Sequence, residues 1–305
     1  MSLSELPAKN RPDPSARALD QWVRDAVRLT GEQERRVGWM LASTVVIAAL
    51  QRALGDDGHP LWLAKGGVYI QLQLGQGSRA TQDIDTLFRG TAAQFETALA
   101  DVLSQPWGPF TLQAFDLEEI AGARRLVKPR RFEVRLIVKG TVWRRVRVEA
   151  SFPEGRIADH GQPVPTPPVR FFGVEAPDHL AGIAMDYQVA QKFHAASDPD
   201  TDGYTNDRVR DIIDLALLRD HFYPGDPPSS LRQACLDLFD ARAAEAEQLG
   251  YQPRHWPPTM TQNQIWHDTY PGLAESIGLA LTLDDAVADV HDWIGLIDHT
   301  GTGQP

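Results

Sequence analysis

Residues 61–67 read Leu61-Trp62-Leu63-Ala64-Lys65-Gly66-Gly67, and residues 79–85 read Arg79-Ala80-Thr81-Gln82-Asp83-Ile84-Asp85. The first stretch is a short apolar run stopped by a glycine pair. The second leads into a strand over residues 84–88. Side chains alternate along a strand, so Asp83 and Asp85 leave the same face. Two neighbouring carboxylates repel, and a cation between them removes that cost. Oxygen-only ligands suit magnesium, which prefers carboxylates, substrate phosphates and water. A solvated strand end is the commoner origin of such a pair, so the pair alone does not establish a metal site. Gly66-Gly67 opens a short helix over residues 68–74, where bare backbone N–H groups can cradle phosphate. A simple tight turn is the alternative.

Working outward, Arg79 lies four residues before Asp83, within reach of a bound polyphosphate. A surface arginine balancing the acids is the plainer reading. A third acid, Glu149, sits near the end of a strand over residues 141–152, where Arg145, Arg147 and Glu149 share the polar face. If that face adjoins the Asp83 strand, Glu149 completes a carboxylate triad; a salt bridge to Arg145 or Arg147 is an equal alternative. The other expected elements before residue 158 are a helix over 32–54, a helix over 92–104, strands over 110–115 and 132–138, and a tight hairpin at Lys139-Gly140. Five prolines fall between Gly161 and Pro177, and the domain boundary is expected there. The expected plan is an N-terminal α/β domain over 1–158, with residues 1–16 a loose tail, and a helical domain over 178–300. Helices of the second domain are expected near 177–196, 206–221, 229–249 and 283–297.

The chain has 305 residues and a net charge of −11. Its overall acidity opposes nonspecific nucleic-acid binding, yet ten bases and one acid lie between Arg124 and Arg147. An anionic partner is therefore expected at Arg124, Arg125, Lys128, Arg130 and Arg131. One cysteine rules out a disulfide framework or a Cys-rich zinc module. No apolar run approaches the roughly 18 residues of a membrane helix. The proline-rich N-terminus lacks the apolar core of a signal peptide, so a cytoplasmic protein with no membrane partner is expected.

In the second half, Lys192 lies beside Val189 and Phe193 on a helix; most such lysines reach solvent. On the next helix Asp207, Asp211 and Asp214 share a face by spacing, a face expected to meet solvent. A salt bridge from Asp214 to Arg210 or Lys192 is one structural reading. The loop from Asp198 to Gly203 begins like a calcium loop, but its twelfth position is Val209 rather than glutamate.

Together, Lys65-Gly66-Gly67, the Arg79-x-Thr81-x-Asp83-x-Asp85 strand, Lys192 and Arg208-x-x-Asp211-x-x-Asp214 resemble the AbiEii/MenT-type nucleotidyltransferase toxins of the DNA polymerase β-like superfamily. The resemblance implies an α+β fold: a nucleotidyltransferase domain with a mixed sheet, followed by a mainly helical domain that contributes to the active site. It implies transfer of a nucleotide from a nucleoside triphosphate to RNA, at the 3′ acceptor end of tRNA, inhibiting translation within a toxin–antitoxin system. Asp83, Asp85 and Glu149 would hold magnesium or manganese, with Lys192 and Asp211 joining them in catalysis. Lys65, Gly66, Gly67, Arg79, Thr81, Arg208 and Asp214 would meet the nucleotide, and a cognate antitoxin is an implied partner. A nucleotidyltransferase acting on a small molecule or a protein side chain, or a non-catalytic binding protein on the same fold, are the alternatives.

Overall fold

A computed structural model of the chain describes residues 2–9, 13–75, 78, 81–159 and 161–300. Among them, strands β1 (Trp62–Lys65), β2 (Asp83–Phe88), β3 (Thr111–Glu119), β4 (Arg130–Val138), β5 (Thr141–Ser151), β6 (Gly161–Pro165) and β7 (His179–Ile183) form one mixed sheet. Its order is β3-β4-β5-β2-β1-β7-β6. Strand β2 runs antiparallel to β1 and parallel to β5, while β1 runs parallel to β7. The β4–β5 hairpin turns at Lys139 and Gly140, with φ of 50° and 78°. Positive φ at both turn residues matches the twist of the strands they join.

Helices α1 (Ala16–Thr30), α2 (Glu34–Leu50) and α4 (Ala92–Leu103) cover one sheet face. Inward residues of β2, β4 and β5, such as Ile84, Phe88, Phe132, Val134, Val146 and Val148, are buried beneath them. Trp62, Phe88, Phe95 and Phe132 meet at ring separations of 4.9–6.1 Å. Such pairs add about 0.5–1.5 kcal/mol each beyond their buried area.

The helix expected over 32–54 forms as α2, ending at Leu50, and a further helix, α1, precedes it. Leu19, Trp22, Val23 and Ala26 make a buried stripe on α1, and Ser15 Oγ caps it by accepting the N–H of Ala18. Thr30 ends α1, where its hydroxyl donates to the Ala26 carbonyl. The described part of the expected loose tail is docked, with Leu6 buried and the Lys9 N–H donating to Phe171 O at 3.0 Å.

The proline-rich stretch contributes an edge strand. Pro163 and Pro165 lie in β6, a position that tolerates a missing N–H. Residues 179–183, expected as helix, form β7 instead, and α5 (Met185–Ala196) follows. The rest of the second half is helical: α6 (Val209–Phe222), α7 (Ser229–Gln248), α8 (Gln264–Ile277) and α9 (Leu283–His299). No described helix is long and apolar enough to cross a membrane.

Tyr187 of α5 and Ala234 of α7 pack against Leu63 and Leu87 on the second sheet face. That cover stops at β2. Beyond it, the second face of β5 and β4 lies open and carries the polar side chains.

Candidate functional site

Helix α3 (Gly66–Leu74) starts where β1 ends, so the chain turns sharply at Gly66. Gly66 has φ +64°, and a Cβ there would lie 2.3 Å from Asp85 Oδ2. Only glycine meets both requirements without displacing the carboxylate. The Gly66 N–H donates to Gln188 Oε1 at 3.0 Å, tying the turn to α5. Lys65, the residue before it, is paired in register with Asp85.

The β2–β5 register sets Asp83 opposite Arg147 and Asp85 opposite Glu149. All four side chains leave the open face, as the strand period requires. Burial pushes the Asp85 carboxyl up; Lys65 pulls it down, Glu149 pushes it up, and Lys192 pulls it down. Burial lowers the Lys65 ammonium against the opposing pull of Asp85 and Glu154. Glu149 is tied laterally: Arg131 Nε donates to its Oε1 at 2.9 Å, and a second guanidinium nitrogen lies at 2.7 Å. The salt-bridge alternative for Glu149 is therefore real, but its partner is Arg131 from β4, not Arg145 or Arg147. Arg147 Nε stands 3.9 Å from Asp83 Oδ1.

The open face borders a cleft of about 780 Å³. Thr81, Asp83, Arg131 and Arg147 line it from the sheet, with Arg210 of α6 and Ser276 of α8 opposite. Both halves of the chain thus form its walls.

Lys192 does not reach solvent. Its ammonium lies 2.7 Å from Asp211 Oδ1 and 2.7 Å from Asp214 Oδ2. The acidic face of α6 is buried rather than solvated: Asp211 is 8% exposed and Asp214 0%. Two carboxylates at that depth require a cation, and Lys192 supplies it. Asp207 and Arg208 stay at the surface, 3.9 Å apart. Arg79 lies outside the described residues.

The bases between 124 and 147 do not form one anion-binding face. Arg125 lies 2.7 Å from both Glu154 and Glu245, and Arg124 stacks over Tyr204 and Tyr251. Arg130 pairs with Glu119, and Lys128 donates to the Ala123 carbonyl. Alternation along β4 and β5 sends Arg131, Arg145 and Arg147 to the cleft.

Two residues without a sequence signal matter here. Glu154, just past β5, is buried and accepts from Arg242 at 2.8 and 2.9 Å and from Gln191 at 2.7 Å. Burial would raise its carboxyl, but the Arg242 and Arg125 guanidiniums outweigh it and hold the group far below the usual carboxylate range. This network clamps the end of β5 to α5 and α7. The other is Gln188. Its place one turn before Lys192 is visible in the sequence, but its link to Gly66 is not.

A family model described as "Nucleotidyl transferase AbiEii toxin, Type IV TA system" matches residues 48–292. The chain belongs to this family. The match spans every element of the site, from β1 to α6, and it makes the chain a nucleotidyltransferase toxin of a type IV toxin–antitoxin system. The chain is similar in structure to MenT4, a nucleotidyltransferase toxin from Mycobacterium tuberculosis, at 16% identity and TM-score 0.44, over 91% of this chain and 98% of that one. It is also similar to ANT(2″)-Ia, solved in complex with adenylyl-2″-tobramycin, at 14% identity and TM-score 0.34, over 68% and 96% of the two chains. No curated protein sequence matches it.

A nucleotidyltransferase uses a nucleoside triphosphate and usually a divalent metal. The donor set here fits a hard cation by type and by strand register: carboxylates only, on adjacent strands, with Asp85 under repulsion from Glu149 and Asp83. Among the described residues no three such side chains converge at metal-binding distance. Arg131 draws Glu149 sideways, and Asp83 faces Arg147.

Proposed function

We propose that the chain transfers a nucleotide from a nucleoside triphosphate to RNA, at the 3′ acceptor end of tRNA, and so stops translation in the cytoplasm. The observation that carries this reading is the register placing Asp85 opposite Glu149, with Asp83 two residues along, beside a cleft walled by arginines. The choice of tRNA rests on the motif resemblance.

Magnesium or manganese held by Asp83, Asp85 and Glu149 would neutralise charge on the triphosphate. The chain's own residues do the rest. Past Gly66, whose N–H is held by Gln188, the turn offers the next N–H groups of α3, and Lys65 stands beside Asp85. Lys192, oriented by Asp211 and Asp214, brings a positive charge that reaches Asp85. The 3′ hydroxyl oxygen forms a bond to the α-phosphorus, and the bond from that phosphorus to the β-phosphate bridging oxygen breaks. Pyrophosphate leaves with that electron pair, and the hydroxyl proton passes to Glu149. Positioning and electrostatics carry the rate, as phosphoryl chemistry requires. Arg131, Arg145, Arg147 and Arg210 contact RNA phosphates on the way in. An antitoxin is the partner that restrains this activity.

The test is a panel of acceptors: tRNA, other RNA, aminoglycosides and protein, each incubated with the chain, magnesium and labelled triphosphates. Label on tRNA supports the reading. Label confined to a small molecule or protein moves the activity to another acceptor class.

A further inference from the structure

Gln188 is 1% exposed, yet only half of its amide is satisfied. Its Oε1 accepts the Gly66 N–H at 3.0 Å, which fixes the amide orientation, since a flip would set donor against donor. Its Nε2 is buried and has no acceptor among the described residues. A buried N–H donor left unpaired costs about 1–3 kcal/mol, so a side chain kept in that state needs a reason.

The surroundings supply one. Gly66 touches the Asp85 carboxylate, and Lys192, one helical turn beyond Gln188 on α5, is close enough to act on Asp85 electrostatically. The amide is therefore tied to the glycine turn, one helical turn before the lysine. No side chain of Lys65 caps α3, which begins at this turn. Lys65 of β1, Lys192 of α5 and the unpaired Gln188 N–H thus bring two cations and one donor to the neighbourhood of Asp85. Such a set fits the oxygens of a polyanion.

We propose that Gln188 is a nucleotide-binding residue: its Oε1 fixes the Gly66 turn, and its Nε2 donates to a phosphate oxygen of the bound nucleoside triphosphate. This rests on the nucleotidyltransfer reading and adds to it a residue from the second half of the chain. The amide is uncharged, so it can read phosphate geometry without competing with the cations for the carboxylates. Its loss should weaken phosphate recognition specifically and leave the base and sugar contacts alone.

The experiment uses the full chain and two variants. Gln188→Glu keeps an acceptor for Gly66 and replaces the donor by oxygen. Gln188→Met removes both groups at similar volume. Binding of the four nucleoside triphosphates and of the matching nucleosides is measured by titration calorimetry with magnesium, alongside the melting temperature without ligand. Gln188→Glu should bind the preferred triphosphate at least about tenfold more weakly, the order expected for a lost hydrogen bond to a charged group. Its nucleoside affinity should be unchanged, so the preference for triphosphate over nucleoside narrows. Gln188→Met should show the same narrowing, with a lowered melting temperature from the lost Gly66 contact. Triphosphate affinity in Gln188→Glu equal to that of the native chain overturns the proposal and leaves the nucleotidyltransfer reading standing. Equal losses for triphosphate and nucleoside in both variants also overturn it, because they mark a packing role. A native chain that binds none of the four triphosphates overturns the transfer reading as well.

Discussion

Gly66 and Asp85 touch so closely that a single added carbon on Gly66 would sit 2.3 Å from the Asp85 Oδ2. The turn and the carboxylate therefore position each other. Gly66→Ala forces a residue with a Cβ into a left-handed conformation, at about 1–2 kcal/mol, and pushes the carboxylate aside. We expect a melting temperature lower by a few degrees. The loss in kcat should be about 100-fold, the order that follows an ångström-scale displacement of a reacting group. Comparing kcat with thermal stability checks this; equal activity in the variant would show that the contact is incidental.

Asp83→Asn and Asp85→Asn should abolish transfer and leave the fold intact. Asp85→Asn also removes the charge that Glu149 opposes. Its melting temperature should therefore equal or exceed that of the native chain while product formation disappears. A destabilised but active Asp85→Asn would contradict the assignment.

Lys192, Asp211 and Asp214 form one buried unit. Lys192→Met leaves two carboxylates uncompensated and should cost about 3–5 kcal/mol. Adding Asp211→Asn to that variant should recover part of the loss, because residues acting as a unit are not additive. Denaturant unfolding of the single and double variants measures the coupling.

Arg125 and Arg147 separate two roles that the charge run merged. Arg147 is 61% exposed and faces the cleft, while Arg125 is shared by Glu154 and Glu245. Reversing Arg145, Arg147 and Arg210 should raise KM for RNA and flatten its salt dependence, since fewer counterions are released. Arg125→Glu should instead lower stability. RNA affinity that falls only with Arg125→Glu would favour the β3–β4 loop as the acceptor surface.

Glu154 makes stability depend on pH. Its folded-state value lies below the usual carboxylate value of 4.5, so its contribution is fully present above about pH 4.5. The contribution fades as pH falls from there toward the depressed folded-state value. Glu154→Gln should be clearly less stable than the native chain at pH 7, and the gap should shrink below pH 4.5. Unfolding curves across pH 3–7 give the comparison.

Much of the site was legible because strand period and register are simple. Alternation alone put Asp83 and Asp85 on one face, and Arg145, Arg147 and Glu149 on another that proved adjacent. Buried charge was not legible. Lys192, Asp211 and Asp214 look like a solvated pattern in sequence, because nothing local shows that α5 and α6 press those faces together. The run from Arg124 to Arg147 likewise reads as one basic surface, although β4 and β5 pair bases with acids from β3 and α1, and the β3–β4 loop pairs Arg125 with Glu245 of α7. Helix α1 carries a Ser15 cap and an apolar spacing that are visible in the sequence, but the proline-rich start before it masks them. Strand β7 was hidden because five residues paired to β1 and β6 carry no periodic signal of their own.

Transfer of a nucleotide to the end of tRNA by Asp85 and its neighbours can be read by incubating the native chain and Asp85→Asn with magnesium, each α-labelled nucleoside triphosphate and total tRNA, then resolving the RNA. The native chain should give a labelled tRNA, extended at its 3′ end, with one or more triphosphates, and Asp85→Asn none. Native protein that labels no RNA, or an Asp85→Asn chain that labels tRNA as well as the native one, would contradict it.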